Sequence, residues 1–141
     1  MKILLAADGS KYTKKALDFL VTHEELTGPG DELIVLNVQS PVPPGVKGMV
    51  GADAVAKYHD EEAAKVIEPV KARLAGQKKI RYRCSWVLGS ASEEILRAVA
   101  TEKAQLLVMG THGWSLVGRF FMGSVAQKVL VDCEVPVLLV K

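Results

Sequence analysis

The chain is expected to fold as an α/β domain with a single open parallel sheet, and three observations point that way. Apolar strand-type runs alternate with amphipathic helical patterns from end to end. Most of the strand runs are continuously apolar, as strands covered on both faces are. A glycine-rich loop joins the fourth strand to the last helix.

The first strand is Ile3-Leu-Leu-Ala-Ala7. Asp8-Gly9-Ser10 then turns into a helical pattern with apolar positions at Tyr12, Ala16, Phe19 and Leu20. Gly28-Pro29-Gly30 ends that pattern, and Leu33-Ile-Val-Leu-Asn-Val38 is a second buried-type strand. The stretch from Gln39 to Gly51 is rich in Pro and Gly and lacks periodicity, so a mobile loop or partial lid is expected there. A long helix follows, with Ala63, Val66, Ile67, Val70 and Leu74 on one face and Pro69 expected to kink or interrupt it. In the third strand Ile80, Tyr82, Cys84, Trp86 and Leu88 alternate with Arg81, Arg83 and Ser85. One wet face places this strand at a sheet edge, with Cys84 as a packed thiol. Ser90-Ala-Ser-Glu93 fits a capping box for a helix that turns Ile95, Leu96 and Val99 inward. Gln105-Leu-Leu-Val-Met109 is the fourth strand, Val125 to Val131 the last helix, and Val135-Pro-Val-Leu-Leu-Val140 the fifth strand. Right-handed crossovers join such strands into one sheet. No repeat or linker divides the chain, so residues 1–141 are read as a single domain.

Composition narrows the function. With 141 residues the chain is long enough to bury a core without disulfides. A net charge of +2 gives no argument for nucleic acid or an anionic membrane. The basic groups Lys14-Lys15 and Lys78 to Arg83 read as solvated surface. Cys84 and Cys133 lack zinc-ligand spacing, and a disulfide is not expected. Asp8 interrupts the first apolar run too early for a secretion signal, and no run reaches membrane-spanning length. A soluble cytoplasmic protein is expected. His23 and His59 lie in helical patterns without companion ligands and are expected to be solvated.

The chemistry concentrates in the fourth crossover, where Gly110 and Gly113 precede nine further residues and then Gly123-Ser124. Strand, glycine loop and helix start together present bare backbone N–H groups to an anion. Gly110 and Gly113 permit close backbone approach, while Gly123 and Ser124 supply amides and a hydroxyl at a helix N-terminus. The spacing is neither a P-loop nor the dinucleotide fingerprint. Arg119 is either a charge-assisted phosphate contact or a solvated loop arginine. His112 either faces the phosphates or is a bystander or backbone tether. Asp8 either bonds a ribose or base edge or caps the first helix. No activated nucleophile, HExxH motif or poised base accompanies them.

Gly110-x2-Gly113-x9-Gly123-Ser124 resembles the signature of the nucleotide-binding universal stress proteins. Lys2-Ile-Leu-Leu-Ala-Ala-Asp8-Gly-Ser10, Leu36-Asn-Val38, Val87 to Ile95 and Val135 to Val140 resemble further segments of that family, so the resemblance spans the chain. It implies a Rossmann-like sheet of order 3-2-1-4-5 that binds ATP, with magnesium or manganese carried by the phosphates. By the resemblance, Ala7, Asp8 and Val38 lie at the adenosine end and Met109 and Gly110 floor the site. Gly113, Gly123 and Ser124 hold phosphates, Val125 flanks them, and His112 and Arg119 are weaker assignments. Asn37 stands where the family often has histidine and is expected to tune the pocket. Trp114, Phe120 and Phe121 would form a lid or a partner surface. The implied order also makes the fifth strand an edge. Being apolar on both faces, the segment Val135–Lys141 is expected to pair with its copy in a homodimer.

The favoured function is an ATP-dependent regulatory or sensor module in stress response with an unknown regulatory partner. The alternatives are a slow ATP hydrolase or adenylyl-transferring enzyme, and a nucleotide-free dimeric interaction protein.

Overall fold

A computed structural model describes residues 1–114 and 122–141. Its elements are β1 (Lys2–Ala6), α1 (Lys11–Thr22), a 3-10 turn (Glu24–Leu26), β2 (Glu32–Gln39), α2 (Pro44–Val50), α3 (Ala52–Leu74), β3 (Arg81–Leu88), α4 (Ala91–Glu102), β4 (Leu106–Gly110), α5 (Ser124–Asp132) and β5 (Val137–Val140). All strand pairs are parallel, in the order β3-β2-β1-β4-β5. The Rossmann-like topology therefore matches the expected one.

Period-two alternation in the central strands divides two cores. Ile3, Leu5, Leu33, Val35 and Val108 face α1 and α3, where they meet Ala16, Leu17, Leu20, Val70 and Leu74. Leu4, Ile34, Leu36, Leu107 and Met109 face α4 and α5, against Ile95, Val99, Ala126 and Val129. Each fully buried leucine of this kind contributes about 1.5–3 kcal/mol relative to exposure. The order reverses between β1 and β4, and their carboxyl ends open the crevice where ligands of such folds sit.

Several local expectations need correction. Residues 39–51 are not a structureless loop, because Pro44 opens the short helix α2 with its φ preset for a first helical turn. Pro69 does not end α3, which runs 23 residues through it. Lacking an N–H, Pro69 removes only the hydrogen bond to the Lys65 carbonyl, and packing of Ile67, Val70 and Leu74 carries the helix past it. Ser90 is the N-cap of α4, but its side chain makes no capping hydrogen bond, so the capping box is not formed. His59 is not solvated. It is 2% exposed, donates from Nδ1 to Gln39 Oε1 at 2.6 Å, and stacks on Trp86 with ring centroids 5.9 Å apart. His23 is half-buried, with its ring stacked on Phe19.

The β3 edge is wet, as its alternation requires. Arg83 bonds Glu32 at 2.7 Å and also pairs with Glu102 beyond the end of the sheet. Both carboxyls are held below their ordinary range, chiefly by the hydrogen bond from that guanidinium. Burial raises the Cys84 thiol, in keeping with a packed rather than a reactive cysteine.

Candidate nucleotide cleft

The crevice between the ends of β1 and β4 collects the residues singled out in the sequence. Ala7, Asp8, Val38, Met109, Gly110, His112, Gly113, Gly123, Ser124 and Val125 all line one cleft. Arg119, Phe120 and Phe121 lie outside the described residues.

Asp8 is set by the turn between β1 and α1. Its Oδ1 accepts hydrogen bonds from Ser10 N at 2.9 Å and Thr13 Oγ1 at 2.8 Å, while its own N–H donates to Thr13 Oγ1 at 3.0 Å. Ser10, not Asp8, occupies the N-cap position of α1, so Asp8 forms an Asx-type turn ahead of the helix. One carboxylate oxygen is thus fixed by the protein, and Oδ2 faces Gly113. A Cβ on Gly113 would lie 2.7 Å from that oxygen. Asp8 is also the sole carboxylate among the lining residues.

Close approach, not φ, demands glycine at Gly110 and leaves little room for a side chain at Gly123. A Cβ on Gly110 would lie 2.4 Å from Tyr12 Cβ, because α1 starts directly against the end of β4. A Cβ on Gly123 would lie 3.1 Å from the Thr111 carbonyl, which already accepts the Gly123 N–H at 2.8 Å. Gly123 is the N-cap of α5 and offers no side-chain cap. The first amides of α5 and the Ser124 hydroxyl therefore stand at the positive end of a helix dipole, facing the cleft. The floor is apolar, from Leu36, Val38, Met109 and Ile95. His112 Nδ1 is buried and has no hydrogen-bond partner among the described residues, with the ring 5.3 Å from Tyr12.

Sequence reasoning overlooked Thr13, Thr111, Ala91 and Ile95. Thr13 was detectable, since it lies one helical turn beyond the acidic turn. Ala91 and Ile95 enter only because α4 packs across β2 and β1 beside α5, which requires the tertiary packing. Asn37 does not line the cleft. It shares the face of Leu33 and Val35, is 3% exposed, and its Nδ2 donates to the Ala7 carbonyl at 2.9 Å. It braces β1 and leaves its Oδ1 unpartnered. Trp114 lies over the turn as a cover, 72% exposed, with its indole N–H donating to the Asp8 carbonyl at 2.7 Å. Among the described residues no group of three or more His, Cys, Asp or Glu is placed to hold a metal ion, and no helix is long and apolar enough to cross a membrane.

A parallel sheet of this order with a glycine-lined crevice at its switch point defines a nucleotide-cleft type of α/β fold. The model of the universal stress protein family matches residues 1–141, and the chain belongs to that family. A universal stress protein of Thermus aquaticus is 39% identical over 150 residues, covering 99% of this chain and 97% of that protein. The solved structure of protein MJ0577, from Methanocaldococcus jannaschii, superposes with a TM-score of 0.83 at 27% identity, over 99% of this chain and 94% of that one. A universal stress protein from Archaeoglobus fulgidus in complex with dAMP shares the fold at 20% identity and a TM-score of 0.64, covering 100% of this chain and 98% of its own. A family member from Arabidopsis thaliana with AMP bound does so at 14% and 0.70, over 100% and 91%.

Proposed function

We propose that the cleft binds an adenine nucleotide, ATP in particular, and that the protein acts as a nucleotide-dependent regulatory module in stress response. The observation that carries this reading is the uncapped start of α5 meeting three rim glycines beside an apolar floor. Phosphates gain backbone amides, the Ser124 hydroxyl and the helix dipole. The base gains Val38, Met109 and Ile95, and Asp8 Oδ2 accepts from a ribose hydroxyl or base amine. His112 Nδ1, buried without a partner among the described residues, gains one in the ligand. The two relatives of the same fold that hold AMP and dAMP support adenine as the base.

A divalent ion, magnesium or manganese, would ride on the phosphates, with Asp8 as the one lining carboxylate near enough to contribute. Among the described lining residues the titratable groups are Asp8, which is tied into its turn by Ser10 and Thr13, and His112, whose Nδ1 is buried, and this favours holding over hydrolysis. Partner and compartment enter as expectations: β5 leaves one ladder edge open, and pairing across a two-fold would give a homodimer in the cytoplasm.

The test is direct. Acid-denatured, freshly purified protein is expected to release an adenine nucleotide by chromatography, or empty protein to bind ATP by calorimetry. Failure of both refutes the reading.

A further inference from the structure

The β1–α1 turn and the loop after β4 form facing lips of the nucleotide cleft, and each carries a lining residue, Asp8 on one and Gly113 on the other. Asp8 is fixed from two directions. Within its own turn, its N–H donates to Thr13 Oγ1, and its Oδ1 accepts from Ser10 N and Thr13 Oγ1. From the other lip, its carbonyl accepts the Trp114 indole N–H at 2.7 Å. Among the described residues this is the one hydrogen bond that joins residues 111–114 to residues 7–13. Trp114 directly follows Gly113, so the bond sets the spacing of the two lips where Gly113 faces Asp8 Oδ2.

The indole is placed by this bond rather than by burial. At 72% exposed, the ring gains little of the stabilisation a core aromatic has. Its seat is the bare backbone of Gly9, where φ is +79°. A Cβ on Gly9 would lie 3.7 Å from Trp114 Cζ2 and 3.2 Å from Val66 Cγ2 of α3. The ring and its one donor thus hold the Asp8–Gly9 peptide from outside, for Trp114 does not itself line the cleft. The start of α5 is tied by a different bond, from Gly123 N–H to the Thr111 carbonyl, which precedes Trp114 in the loop. Loss of the indole donor therefore loosens Asp8 and leaves the phosphate end in place.

We infer that Trp114 is a positioning residue of the cleft, which holds Asp8 at the distance from Gly113 that a bound nucleoside requires and carries the occupancy of the cleft to the protein surface. The inference rests on the adenine-nucleotide reading. A ligand bonded to Asp8 Oδ2 draws on that residue, and any shift of it moves the carbonyl to which the exposed indole is bonded.

Trp114→Phe keeps a ring over Gly9 and removes the donor. By calorimetry the variant is expected to bind ATP and AMP about three- to tenfold more weakly than wild type, by one common factor, while keeping its circular dichroism spectrum. In nitrogen-15-labelled wild type, the indole resonance that Trp114→Phe removes is expected to shift on saturation with ATP. Wild type that binds no ATP would overturn the nucleotide reading and this inference together. With wild-type binding established, unchanged affinity in Trp114→Phe, a loss for ATP that spares AMP, or an indole resonance that ATP leaves in place would each overturn this inference alone.

Discussion

Gly113→Ala is the sharpest perturbation of the cleft, because the new methyl group meets one identified atom. Its Cβ would lie 2.7 Å from Asp8 Oδ2, closer than real Cβ contacts come. The carboxylate can rotate away only by moving Oδ1, which holds Ser10 N at 2.9 Å and Thr13 Oγ1 at 2.8 Å. Losing one hydrogen bond to a charged group costs about 1.5–3 kcal/mol. For a chain of this size that lowers Tm by about 5–12 °C. Nucleotide affinity is expected to fall at least about tenfold, equivalent to about 1.4 kcal/mol, because the turn carrying Asp8 shifts. Thermal unfolding and ATP calorimetry measure the two effects. A double-mutant cycle isolates the cause: in an Asp8→Ala background the methyl group meets no oxygen, so Gly113→Ala is expected to cost almost nothing further in stability. Additive losses in the cycle would refute the reasoning, as would an unchanged Tm and affinity in the single variant.

Arg83→Met is expected to weaken the fold above pH 4.5 and to converge with the wild type in acid. The folded carboxyls of Glu32 and Glu102 lie below the ordinary glutamate value of 4.5, so the pairing contributes fully above the unfolded pKa and is lost as pH falls through the folded ones. Urea unfolding from neutral pH to about pH 2.5 checks this, and a difference independent of pH counts against it. Lys103 is the one non-glycine residue with positive φ among the described residues, at 56°, so Lys103→Gly is expected to stabilise by about 0.5–1 kcal/mol in denaturant unfolding. Leu138→Lys on the open edge of β5 is expected to convert a dimer to a monomer in sedimentation equilibrium, whereas a wild-type monomer at all concentrations would remove the pairing proposal.

Both cores were legible because runs such as Leu33 to Leu36 can be buried only between two helical layers, whereas the strand order followed from the family resemblance, the alternating third strand alone marking one edge. The cleft was legible for a different reason. Gly110, Gly113 and Gly123 are local punctuation at the ends of recognisable elements, and strand order brings Asp8 beside them. What escaped depended on contacts distant in sequence. His59 looks like a surface residue of α3 until Gln39 and Trp86 close over it. Asn37 appears to belong to the pocket by its place near the end of β2, but the two-residue period turns it to the opposite face. Pro69 reads as a helix breaker because local propensity has no access to the packing of Val70 and Leu74.

The central claim is that the glycine-lined start of α5 holds the phosphates of an adenine nucleotide. Calorimetric titration of ATP into wild type and Gly123→Val tests it most directly. A Cβ at that position already lies 3.1 Å from the Thr111 carbonyl, and the valine methyls add bulk beside the α5 amides. One ATP per wild-type protomer, with no heat from a folded variant, is the expected result. Equal affinity in the two proteins would contradict the account.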